Sequence, residues 1–242
     1  MHGKIIRMNR IINPNLKRSL IVDASSLLER CYDEKIFQIL KEYCDGIVLV
    51  SSQVERLYHV FLGRRAPALI LRLGWRNISP QAVEDALFMG ASAVISSFLV
   101  GHERDEDEAM NLEIISLIAR QSERVNLPLI VECIPYGERI TKENFSRCVE
   151  LAARVATEAG ADIIVIPYVR DQVLLKKIIN GVSIPVLMSD IMTPFGSSIE
   201  KVEFVLENGA SGFLLGEETF RKYDVERVIK ILYERIYGRA LN

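Results

Sequence analysis

The sequence predicts one α/β barrel of eight strand–helix units, a TIM (β/α)8 fold over residues 1–242, with residues 1–17 as a lead-in. Three observations predict it. Eight short runs rich in Val, Ile and Leu recur along the chain, with helical stretches between them. The runs are almost continuously apolar rather than alternating, as parallel strands covered on both faces must be. No linker or change of composition divides the 242 residues, so the units belong to one closed sheet. An open doubly wound sheet is the competing arrangement. It usually shows a glycine-rich first turn, whereas the first run here leads into DASSLLER.

The strands are read at SLIVDAS from Ser19, GIVLVSS from Gly46, ALILRLG from Ala68 and ASAVISSF from Ala91. They continue at LPLIVECI from Leu127, ADIIVIPY from Ala161, IPVLMSD from Ile184 and SGFLLGE from Ser211. Pro67, Pro128 and Pro185 stand at strand entrances, where a missing donor is tolerated. Ser79-Pro80 ahead of QAVEDALFMG and Thr141 ahead of KENF place capping residues before helices. Helical spacing puts Phe145, Val149, Ala152 and Ala156 on one face, and Val225, Val228, Leu232 and Ile236 on another. Gly90, Gly160 and Gly209 each close a helix before the next strand.

The net charge of -2, with no basic stripe on any helix, argues against nucleic acid as a partner. Cys31, Cys44, Cys133 and Cys148 lack CxxC spacing and read as reduced core thiols, so a cytoplasmic location is expected. The opening MHGKIIRMNRIINPN is too polar for a signal peptide, and no run approaches the roughly 18 apolar residues of a spanning helix, so no membrane partner is expected. No HExxH, GxSxG, Walker loop or GxGxxG occurs, so neither a metal nor another cofactor is expected. His59 reads as a surface residue, and HERDEDE, from His102, as a solvated first helical turn.

Barrel enzymes carry their reactive groups at the C-terminal ends of the strands. Those ends supply Asp23 and Ser25, Arg72, Glu132, Tyr168, Ser189 and Asp190, and Glu217, while His102, Arg104, Tyr136 and Arg170 stand in loops that lean toward the mouth. Asp23, Arg72 and Glu132 come from alternate strands, which together fill single layers of a barrel interior. They read equally well as a space-filling ion network and as a substrate site.

The pattern resembles the archaeal-type class I fructose-bisphosphate aldolases and their relatives in the deoxyribose-phosphate aldolase superfamily, TIM barrels that work through a Schiff base. LPLIVECIPYGERI is similar to that family's fifth strand, ELAARVATEAGADIIVIPY to its fifth helix and sixth strand, and IPVLMSD to its seventh strand. ENGASGFLLGEETF resembles the eighth strand and its turn, and GASAVISSF the fourth. The family's sixth strand reads approximately K-I-K-Y, and its second lysine forms the imine. The matching positions here are Val165 and Pro167, with Tyr168 kept. The family's proton-donating tyrosine falls at Ile134, its strand-three lysine at Arg72, and its strand-one aspartate is retained as Asp23. The glycine pair of its phosphate site becomes Asp190 and Ile191, and its glycine-arginine becomes Gly216-Glu217. At about 4 Å and an effective dielectric near 20 each unit-charge interaction is about 4 kcal/mol, so replacing attraction by repulsion is expected to remove most of a phosphate ester's affinity.

The resemblance therefore implies a diverged barrel lacking the Schiff-base lysine. One expectation is acid–base chemistry by Asp23, Glu132, Tyr168 and Asp190, with Arg72, Ser189, Gly216 and Glu217 holding a small hydroxylated or keto compound. A second is a non-catalytic homo-oligomer whose mouth is plugged by Phe98, Tyr168, Met192 and Phe195. A third keeps aldolase chemistry through a lysine elsewhere.

Overall fold

The computed structural model describes residues 2–25, 34–76, 78–189 and 199–238. Eight strands close into one parallel barrel in chain order: β1 Ser19–Asp23, β2 Gly46–Leu49, β3 Ala68–Arg72, β4 Ala93–Val100, β5 Leu129–Pro135, β6 Ile163–Pro167, β7 Val186–Ser189 and β8 Gly212–Leu215. The helices are α1 His2–Ile11, α2 Glu34–Tyr43, α3 Ser51–Leu57, α4 Ala82–Phe88, α5 Asp105–Val125, α6 Phe145–Glu158, α7 Gln172–Asn180, α8 Ile199–Glu207, α9 Glu217–Lys222 and α10 Val225–Tyr237, with a 3-10 turn at Tyr58–Phe61. The chain is a TIM barrel. No helix among the described residues is long and apolar enough to cross a membrane.

Two hydrophobic shells follow from the two-residue period of each strand. Ile21, Val48, Ile70, Ile95, Ile130, Val165, Leu187 and Leu214 fill the barrel interior. Their neighbours Leu20, Val22, Ile47, Leu49 and Val94 point outward and pack under the helices. The apolar faces read at Val149, Ala152 and Ala156 and at Val228, Leu232 and Ile236 are buried in that outer shell. Gly90, Gly160 and Gly209 take φ of +85°, +103° and +99°, as helix-closing residues do. The capping at Thr141 is displaced: α6 starts only at Phe145, and Thr141 instead forms a turn with Asn144, whose Oδ1 accepts from Thr141 N at 2.8 Å.

The lead-in is itself a structural element. Helix α1 lies across the N-terminal end of the barrel, where Ile11, Ile12 and Met8 complete the interior core. Ser19 Oγ donates to Ile11 O (2.6 Å), Lys4 Nζ lies 2.6 Å from Glu123 and 3.0 Å from Asp162, and Arg7 donates to Asn126 O at 3.1 Å. The open end is therefore the opposite one, at the strand C-termini.

Two expected plugs, Phe98 and Tyr168, are misplaced. Phe98 is buried, but it shares the parity of Val94 and Val100 and packs in the helix-facing shell. Met192 and Phe195 lie outside the described residues. Cys44, Cys133 and Cys148 are free thiols, the first two buried, and Cys31 also lies outside the described residues.

Candidate functional site

Ile21, Ile70, Ile130 and Leu187, from β1, β3, β5 and β7, form one buried interior layer. Two residues further along the same strands, the inward positions are Asp23, Arg72, Glu132 and Ser189. Alternate strands thus bring the predicted triad to one level at the mouth, and strand register adds Ser189 as the fourth member.

Arg72 bridges the two carboxylates. Its Nη2 donates to Asp23 Oδ2 at 2.5 Å and its Nη1 to Glu132 Oε2 at 2.6 Å. Ser97 Oγ, from β4, also donates to Glu132 Oε2 (3.2 Å), and Asp23 Oδ1 accepts from Ser25 N (2.9 Å) and Ser25 Oγ (2.5 Å). The Arg72, Asp23 and Glu132 side chains are 21%, 14% and 12% exposed, so the cluster is largely desolvated yet reachable from the mouth. Burial works against the guanidinium's charge, but the Coulombic pull of Glu132 and Asp23 outweighs it and holds its pKa above the ordinary value. One cation against two anions leaves the layer negative.

Gln53 escaped the sequence reading. It sits in the first turn of α3, where its Oε1 accepts from Val50 N (3.1 Å) and its Nε2 donates to Ser25 O (2.8 Å), tying the end of β2 to the loop that follows Asp23. A glutamine three residues past the N-cap Val50 was the available signal, in the manner of a capping box.

The other candidates are spread around the mouth. Ile163 and Val165 point into the barrel, so Pro167 occupies the next inward position of β6 and the following residue turns away. Tyr168 accordingly packs against the helix-side core, where burial raises its hydroxyl pKa, with Lys201 Nζ of α8 5.3 Å from its ring centroid. None of the eight strands contains a lysine. Gly216 is buried and caps α9, whose first residue Glu217 is exposed and pairs with Arg221 at 2.5 Å. That pairing offsets the negative charge expected to repel a phosphate, so the repulsion is weaker than an isolated carboxylate would give. Asp190 lies outside the described residues.

Of the loop residues, Tyr136 and Arg170 are exposed, and Arg104 pairs with Asp107 (3.0 Å) at the start of α5. The acidic first turn is more engaged than a solvated face: Glu108 Oε1 accepts from Gly101 N (2.7 Å), and Arg139 pairs with Asp105. His102 stacks on Trp75 with centroids 6.4 Å apart. Among the described residues, no three metal-binding side chains converge.

Comparison with known proteins matches residues 32–222 to the DeoC/LacD family aldolase model. An uncharacterised aldolase of Saccharolobus solfataricus is 26% identical over 230 residues, covering 86% of this chain and 82% of the relative. A class 1 fructose-bisphosphate aldolase of Thermoproteus tenax is 29% identical over 206 residues, covering 80% of this chain and 75% of the relative. The crystal structure of an archaeal fructose 1,6-bisphosphate aldolase superposes with a TM-score of 0.78 at 26% identity, over 98% of this chain and 100% of that one. By fold and by sequence, the chain belongs to the DeoC/LacD aldolase family.

Proposed function

We propose that this chain is a diverged class I aldolase-family protein that no longer forms an imine from its sixth strand, and that its mouth takes a small hydroxylated or keto compound without a tightly held phosphate. The observation that carries the reading is Pro167, which occupies the inward position at the end of β6. An imine requires a primary amine that adds to the carbonyl carbon before water leaves. A prolyl ring offers no such nitrogen. Asp23 and Glu132 are the acid–base candidates that the barrel holds in place, with Arg72 fixing both and Ser189 at the same level. Hydroxyl groups of a ligand fit a negative, hydrogen-bonding layer better than a phosphate does. Asp190, which lies outside the described residues, and Tyr168 remain acid–base candidates. A cytoplasmic location accords with the free cysteines.

Incubation of the full chain with dihydroxyacetone phosphate, then borohydride reduction and intact-mass measurement, tests this. The expected result is an unmodified mass, and a reduced adduct overturns the proposal. One observation favours a second reading: Lys201, in the first turn of α8, lies against Tyr168 just past the end of β6. An adduct mapped to Lys201, and abolished by Lys201→Met, would establish a relocated amine in place of the lapsed one.

A further inference from the structure

We infer that the ligand of the barrel mouth carries a primary ammonium group, as an amino alcohol or an amino sugar does, and that Glu132 holds it. The inference rests on the reading that the mouth takes a small hydroxylated compound without a tightly held phosphate, and it names the charge that this compound brings. Both oxygens of Asp23 are already engaged, Oδ2 by Arg72 and Oδ1 by Ser25. Glu132 differs. Its Oε2 accepts from both Arg72 and Ser97, while among the described residues nothing hydrogen-bonds to its Oε1. Ser189 Oγ, at the same level, likewise has no partner among the described residues. Neither oxygen is sealed from solvent, so both face whatever enters the mouth.

Asp23, Arg72 and Glu132 sum to one negative charge, and the interior offers nothing to cancel it. The even-numbered strands supply the layers on either side. Val48, Ile95, Val165 and Leu214 form the one toward the floor. Two residues further along, the inward positions are Val50, Ser97, Pro167 and Gly216, none of them a cation. With side chains only 12–21% exposed, the layer holds this charge in little water, and a cation on the ligand relieves that cost. A hydroxyl satisfies Oε1 but leaves the charge. A metal ion needs several ligand atoms converging on one point, and among the described residues no three metal-binding side chains do so. An ammonium needs less. One of its three N–H bonds donates to Glu132 Oε1, and Ser189 Oγ is left for a hydroxyl of the same molecule.

Three matched probes test this: 3-amino-1,2-propanediol, glycerol and glycerol 1-phosphate, which present a cation, a neutral hydroxyl and an anion on the same carbon chain. Each is titrated against the full chain at neutral pH and low salt, with saturation-transfer NMR reading the dissociation constant. The amine is expected to bind about tenfold or more tighter than glycerol, and glycerol 1-phosphate weakest of the three. Glu132→Gln keeps the shape of the side chain and is expected to bring the amine within about twofold of glycerol. Asp23→Asn neutralises the layer without touching Glu132 Oε1, is expected to lower the ratio as well, and serves where Glu132→Gln does not fold. Circular dichroism establishes which variants keep the barrel. Equal affinity for amine and glycerol, no binding of the amine, or a preference that survives neutralisation of the layer would overturn the inference and leave the phosphate-free reading standing. Glycerol 1-phosphate bound tightest would overturn both.

Discussion

Replacing Arg72 by leucine tests whether the layer at the barrel mouth is held together as an ion network. The guanidinium is the bridge between Asp23 and Glu132, at 2.5 and 2.6 Å, and all three side chains are no more than 21% exposed. Removing the cation leaves two carboxylates side by side with little water to solvate them. Breaking a buried pair in this way costs about 3–5 kcal/mol, and the residual exposure at the mouth favours the lower figure. For a barrel of this size, about 3 kcal/mol corresponds to a fall in Tm of roughly 6–12 °C. Urea and thermal unfolding at neutral pH, followed by circular dichroism, measure it. The informative partner is the triple variant Asp23→Asn, Arg72→Leu, Glu132→Gln, which removes the stranded charges along with the cation and is expected to regain most of the loss. A loss below about 1 kcal/mol for Arg72→Leu, the value of an exposed surface pair, would refute the reasoning, because it would mean that water already reaches both carboxylates. If the layer also binds the ligand, the triple variant regains stability without regaining binding, which separates the two roles.

Three further outcomes are expected. Burial lifts the Asp45 carboxyl from its ordinary value of 3.8 to about 6, against the lowering effect of hydrogen bonds from Tyr237 and the Leu20 N–H. Its folded pKa thus exceeds its unfolded one, so its stabilising contribution is complete below about pH 4 and is lost as the pH rises through 6, a change of about 3 kcal/mol that Asp45→Asn should remove from the unfolding profile. Gly212→Ala should destabilise by about 3–5 kcal/mol or prevent folding, because a Cβ there would stand 1.8 Å from Ser19 O at a φ of +128°; wild-type solubility and unfolding midpoint would contradict this. Ile11→Ala, at the fully buried last residue of the floor helix, should cost about 2–5 kcal/mol and speed proteolysis of the N-terminal segment, and an unchanged cleavage rate would show that α1 does not hold the floor.

Most of the barrel was legible because strand parity is local. A continuous apolar run such as ALILR or GIVL signals burial on both faces, and the prolines and glycines around it mark its ends without reference to distant residues. Parity together with chain order also places Asp23, Arg72 and Glu132 in one layer. Helix α1 was missed for a corresponding reason. Its apolar residues acquire meaning only once the barrel floor exists, and until then MHGKIIRMNR reads as a polar lead-in.

By itself, then, the sequence determined the eightfold strand–helix repeat, the inward and outward sides of each strand, and the residue types available at the mouth. Tertiary structure alone decided that Arg72 spans both carboxylates, that Tyr168 and Phe98 turn toward the helices, that Arg221 offsets Glu217, and that Lys201 meets Tyr168. The physical reason is one of range. Alternation along a strand is set by the backbone within two residues, whereas the partner of a charged or aromatic side chain depends on how separate strands and helices converge in space.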